Sequence, residues 1–161
     1  MIFLVVGSAA CVHDDLARLP VRPDQVVALN RQIRALPAAP HYGATVHPEK
    51  AQEFSRDGVT LVGTKPLPGV DVVWDGRPTF RHGTSALYAC GWIMDPEPPS
   101  MIVLAGCPID ETPHFYDDTS ALGDSLSAYR HFWHEALPLV KNRVFSMSGW
   151  TRDLLGSPPA T

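Results

Sequence analysis

The chain has 161 residues, 45% of them apolar and 19% charged, with a formal net charge of −4. That composition suits one domain with a substantial core, so disorder is excluded, and the mild acidity excludes the broad basic footprint that duplex nucleic acid requires. No apolar run approaches the roughly 18 residues of a membrane span, and a soluble, cytoplasmic protein is expected.

Residues 2–6 form a β-branched and aromatic run that suits a central strand buried on both faces. Gly7, Ser8, Ala9 and Ala10 then make a tight small-residue turn into a short helix around Asp14, Asp15 and Leu16, stopped by Pro20. Small residues here let a ligand approach the backbone, although an ordinary strand-to-helix turn uses the same residues. The apolar start followed by Ser8, Ala9, Ala10 and Cys11 has a lipoprotein look, but it lacks a basic leader and its apolar run is too short. Neither a full Gly-x-Gly-x-x-Gly fingerprint nor a Walker lysine is present, which disfavours NAD and P-loop chemistry.

A second strand, residues 25–29, ends at Asn30, whose amide can read a base or ribose edge or close a turn through its own backbone. A short helical turn follows over residues 31–36, ended by Pro37 and Pro40. A third strand, residues 43–46, delivers His47 to the same sheet edge as Gly7 and Asn30, where open parallel sheets bind their ligands. Residues 49–54 read as a helix with Pro48 at its start, and residues 59–62 and 70–74 as short strands. Arg81 and His82 fall just before the next helix, where a cation suits either phosphate or a solvated loop.

Residues 83–110 carry the most information. Thr84 and Ser85 cap an apolar helix, prolines at 96, 98 and 99 end it, and an apolar run over residues 102–105 leads through Gly106 to Asp110. The helix start offers free backbone N–H groups at a positive dipole end, and the strand brings Asp110 to the ligand edge. The loop over residues 111–118 concentrates His114, Tyr116, Asp117 and Asp118, all able to do acid/base or hydrogen-bonding work, or to form a polar loop anchored by Phe115.

The longest helical pattern covers residues 122–140, with Leu126, Tyr129, Phe132, Trp133, Ala136 and Leu137 as a core stripe. A last strand over residues 143–147 and a short helix over residues 152–155 complete the chain. Cys11, Cys90 and Cys107 lack paired spacing and read as buried small hydrophobes, and the i, i+3 pair His131 and His134 is by itself too little to hold a metal, so no metal site is expected. The elements add up to one three-layer Rossmann-like α/β domain over residues 1–161, with a mostly parallel central sheet.

Four pieces together resemble the bacterial lipooligosaccharide sialyltransferases and the related motility-associated flagellin glycosyltransferases. They are Val5-Val6-Gly7-Ser8-Ala9, Val27-Ala28-Leu29-Asn30, the helix start Gly83-Thr84-Ser85-Ala86-Leu87-Tyr88-Ala89, and Ile102-Val103-Leu104-Ala105-Gly106-Cys107-Pro108-Ile109-Asp110, in an order that spans most of the chain. The chain is also similar to short uncharacterised phage and prophage proteins, whose ending is like Ser146-Met147-Ser148-Gly149-Trp150-Thr151-Arg152.

The resemblance implies a domain that binds a cytidine nucleotide sugar as substrate, with no separate cofactor. Gly7, Ser8, Asn30, Thr84, Ser85 and Asp110 would surround the nucleotide, and His47 falls where that family has another polar contact. In the family a lid after the position matching Asp110 supplies a base and phosphate donors. Here the matching interval is short, and His114 and Tyr116 are the residues able to take those roles.

Two alternatives stand beside transfer. One is a virion or tail-associated structural protein that keeps the fold and touches phage partners, or copies of itself, through residues 67–74 and 95–100. The other is a Mg²⁺-dependent nucleotide hydrolase using Asp110, Asp117 and Asp118.

Overall fold

A computed structural model describes residues 1–95, 97–117 and 125–160. Its core is a seven-stranded parallel sheet made of β1 (Ile2–Val6), β2 (Gln25–Leu29), β3 (Tyr42–Thr45), β4 (Thr60–Gly63), β5 (Val72–Val73), β6 (Met101–Ala105) and β7 (Val144–Ser146). The strand order is β5-β4-β3-β2-β1-β6-β7. The chain therefore steps outward from β1 to β5, then crosses back to the other side of β1 for β6 and β7.

Side-chain alternation along each strand sorts the core into two layers, because successive residues point to opposite faces. Val5, Val27, Leu29, Ile102 and Leu104 pack on one face against α5 (Ser85–Met94) and α6 (Leu126–Val140). On the opposite face Leu4, Val6, Val103 and Ala105 meet Val12 of α1 (Val12–Ala17). Further along that face, Ala28 and Leu61 meet Ile33 of α2 (Gln32–Ala35) and Phe54 of α3 (Ala51–Phe54). Burial on both faces explains why β1 and β6 read as continuous apolar runs.

Helix α5 is buried around nearly its whole circumference, since the sheet covers one side and α6 and α4 (Pro78–Arg81) the other. At its start, Trp133 of α6 is fully buried and its indole N–H donates to Thr84 Oγ1 at 3.3 Å. The chain ends in α7 (Gly149–Leu155), and the Ser146 N–H donates to the Gly156 carbonyl at 3.0 Å.

Several sequence expectations change. The short helix α4 forms between the strand expected near residue 74 and the Thr84 helix start, where no element was expected, and Pro78 is preset for its first turn. The strand expected over residues 70–74 contracts to Val72–Val73 at the sheet edge. Helix α6 is described from Leu126, whereas positions 122–124 of the predicted helix, like Asp118, lie outside the described residues. Among the described residues no helix is long and apolar enough to cross a membrane.

Candidate functional site

A cleft of about 410 Å³ opens at the C-terminal edge of the sheet. It lies where the chain reverses its direction across the sheet, the place at which ligands of open α/β sheets bind. Gly7, Ser8, Asn30, His47, Thr84, Ser85, Asp110, His114 and Tyr116 all line it. Every strand is parallel, so residues that follow a strand end, such as Gly7, Asn30 and His47, arrive at one edge, while Thr84 and Ser85 come with the start of α5 and His114 and Tyr116 with the loop after β6.

The floor is backbone. The Gly7 N–H donates to the Ala105 carbonyl at 2.8 Å, and a Cβ on Gly7 would lie 2.4 Å from the Gly106 carbonyl oxygen. Gly106 has φ +64, and a Cβ there would sit 2.7 Å from that of Val12. Beneath it, the fully buried Asp15 accepts the Gly106 N–H at 2.8 Å and the Ser148 hydroxyl at 2.7 Å through Oδ2. Thr151 supports the same loop: its hydroxyl donates to the Cys107 carbonyl at 2.7 Å, and its N–H to the Pro108 carbonyl at 3.1 Å. Gly149, at φ +66, leaves room for Pro108, whose Cβ would otherwise be 2.3 Å from a side chain. Residues 146–152 therefore brace the loop after β6 from behind.

Asn30 stands at the tip of β2 with φ +51, and its carbonyl accepts the Ile33 N–H at 3.1 Å, so it does close a turn. Its side chain is also fixed. The His47 N–H donates to Thr45 Oγ1 at 2.9 Å, and that hydroxyl donates to Asn30 Oδ1 at 2.8 Å. In parallel, the Val46 N–H donates to Ser85 Oγ at 3.3 Å, and that hydroxyl donates to the same Oδ1 at 3.3 Å. Two backbone donors thus set the direction of two hydroxyls and commit the Asn30 carbonyl. Its NH₂ group has no partner among the described residues and remains as a pair of donors beside the cleft.

Thr84 is the N-cap of α5, where its Oγ1 accepts the Leu87 N–H at 3.2 Å as well as the Trp133 indole. Its hydroxyl oxygen is thereby engaged in structure. The Ser85 and Ala86 N–H groups are the open donors of the first turn, and the Ser8 N–H is likewise without a partner among the described residues.

Charge around the cleft is unevenly satisfied. Arg31 pairs with Glu53 at 3.1 Å and His47 with Glu49 at 3.4 Å, while Asp110 Oδ1 closes a turn by accepting the Thr112 N–H at 2.9 Å. Lys50 lines the cleft without an ion-pair partner among the described residues. Arg81 and His82 are absent from its lining, because α4 carries Arg81 toward the Asp75 carbonyl at 3.4 Å.

No protein-family model, curated protein or solved structure matches this chain.

The remaining wall is aromatic. The loop over residues 112–117 is tied to the β1 tip by an antiparallel bridge between Ala9 and His114, with the Phe115 N–H donating to the Ser8 carbonyl at 2.9 Å. His114 stacks on Tyr116 with ring centroids 4.6 Å apart, and the Arg31 guanidinium lies 5.2 Å from the Tyr116 ring centre. Desolvation raises the Tyr116 phenol above its usual range, against the opposing pull of Arg31, so the group stays a proton donor at neutral pH.

Lys50, Arg31, Thr45, Asp15 and Tyr129 belong to the site or its support and were missed in the sequence. Only Tyr129 carried a visible signal, as a polar-tipped aromatic in the α6 stripe. The cysteines are free thiols: burial pushes Cys11 up to about 11, and it raises Cys90 and Cys107 well above their ordinary value. They are poor nucleophiles in consequence. Among the described residues no group of three His, Cys, Asp or Glu side chains comes together as a metal site.

Proposed function

We propose that the cleft binds a cytidine nucleotide sugar and that the protein transfers the sugar to an acceptor hydroxyl. One observation carries the reading: the committed Asn30 amide leaves a donor pair in the same cleft as the open Ser85 and Ala86 N–H groups. A neutral donor pair suits a carbonyl or hydroxyl of a nucleoside, and a helix start suits a phosphate. Lys50 adds a cation on the same side of the balance. The cleft of about 410 Å³ falls within the range of small-molecule sites. The choice of cytidine rests on the resemblance in sequence.

In transfer, a new bond forms between the acceptor oxygen and the anomeric carbon as the bond from that carbon to the phosphate oxygen breaks. His114 takes the acceptor proton, and the leaving phosphate meets the Ser85 and Ala86 N–H groups, Lys50 and the protonated Tyr116 hydroxyl. Calorimetry with cytidine monophosphate tests the binding step. Saturable heat whose affinity falls at least about tenfold in Asn30→Asp supports it, and no heat change at millimolar nucleotide overturns it.

A contact role at the sheet edge is the second reading, favoured by exposed Leu67, Val72 and Val73 around β5. It expects copurification with particles that survives Asn30→Asp.

A further inference from the structure

We infer that Asp117 is a positioning residue that holds His114 with its proton on Nδ1, leaving the Nε2 lone pair for the acceptor. The inference rests on the reading of His114 as the base. Three restraints act on this histidine. Its backbone is held by the bridge to Ala9, its ring lies against Tyr116 at an interplanar angle of 13°, and its Nδ1 is 3.1 Å from Asp117 Oδ1. The first two leave the ring little freedom to turn, and the third decides its tautomer.

A carboxylate only accepts, so a neutral imidazole at this distance is favoured when Nδ1 carries the hydrogen. The other tautomer sets two lone pairs against each other. Nε2 has no hydrogen-bond or ion-pair partner among the described residues, and His114 lines the cleft. The side chain of His114 is 22% exposed and that of Asp117 40%, so the pair sits at the rim, open to an acceptor from outside. A base with a fixed lone-pair direction is what abstraction from a hydroxyl needs, and the carboxylate also offsets the charge the ring gains.

Ring ¹⁵N–¹H correlation spectra of the full chain at a pH where His114 is neutral test this, with His114→Gln used to identify its signals. The expected result is an Nδ1–H pattern for His114 that moves to Nε2–H in Asp117→Asn. An Nε2–H pattern in the unaltered protein, or no change in Asp117→Asn, overturns the inference. With a cytidine nucleotide sugar as donor, kcat of Asp117→Asn should fall at least about tenfold with KM little changed, and Asp117→Glu should recover part of it. An unaltered kcat overturns the catalytic part of the role. If the unaltered protein turns over no donor while the tautomer result holds, the transfer reading fails and the positioning stands.

Discussion

On the floor of the cleft the tips of β1 and β6 meet so closely that Gly7 has no room for a methyl group, and what lies behind them is buried hydrogen bonding from Asp15, Ser148 and Thr151. On the rim, Asn30, His47, Lys50 and the aromatic loop present side chains that are partly or largely open to solvent. The floor offers backbone shape, and the rim offers polar and aromatic side chains. A change in the floor should therefore register first as lost stability, and a change on the rim as lost binding with the fold intact.

The largest effect should come from Gly7→Val, since its Cβ meets a backbone oxygen that cannot move aside. We expect a loss of about 3 kcal/mol or more, read by chemical denaturation, with ligand binding abolished alongside. A variant of near-native stability would show that the two tips are less tightly apposed. Asp15→Ala should come next, leaving the buried Gly106 N–H and the Ser148 hydroxyl without their acceptor. A cost of about 2–3 kcal/mol is expected in the same measurement.

Asn30→Asp sharpens the contrast from the other side. It keeps an acceptor for the Thr45 and Ser85 hydroxyls but replaces the donor pair with a carboxylate oxygen. Nucleotide affinity should fall at least about tenfold by calorimetry, while Tm moves little. Lys50→Ala should weaken binding by only a few-fold, and the difference from the unaltered protein should shrink in high salt because the lysine is exposed.

The smallest effect concerns the thiol at the junction of floor and α1. Burial raises Cys11 from 9.0 to about 11, so the folded state favours the neutral thiol. Its contribution is complete below pH 9 and is lost as pH rises through about 11. Stability measured from pH 8 upward should decline over that window, and Cys11→Ala should flatten part of the decline.

Much of this site was legible. Residues of β1, α5 and β6 announce themselves by continuous apolar runs bounded by Gly7, Thr84 and Gly106, and the residues expected at the strand ends came to line one cleft. Arg81 and His82 did not, because one turn of α4 is enough to redirect them. Lys50 and Thr45 were illegible for a related reason: a lysine in a 3₁₀ turn and a threonine in a strand look ordinary until a neighbouring strand tip is placed beside them.

The sequence by itself determined most of what is local: which segments are strands or helices, apart from α4 and the extent of β5, and which small or polar residue stands at their ends. Those follow from side-chain periodicity and from the conformations that glycine, proline and capping residues allow. The tertiary structure decided the order β5-β4-β3-β2-β1-β6-β7 and, through it, every contact between distant segments. The Ser148 hydroxyl meets the Asp15 carboxylate across 133 positions, and Ser85 meets Asn30 across 55. Pairings of that kind depend on which strands become neighbours, a choice made by the packing of whole layers and written in no single stretch of the chain.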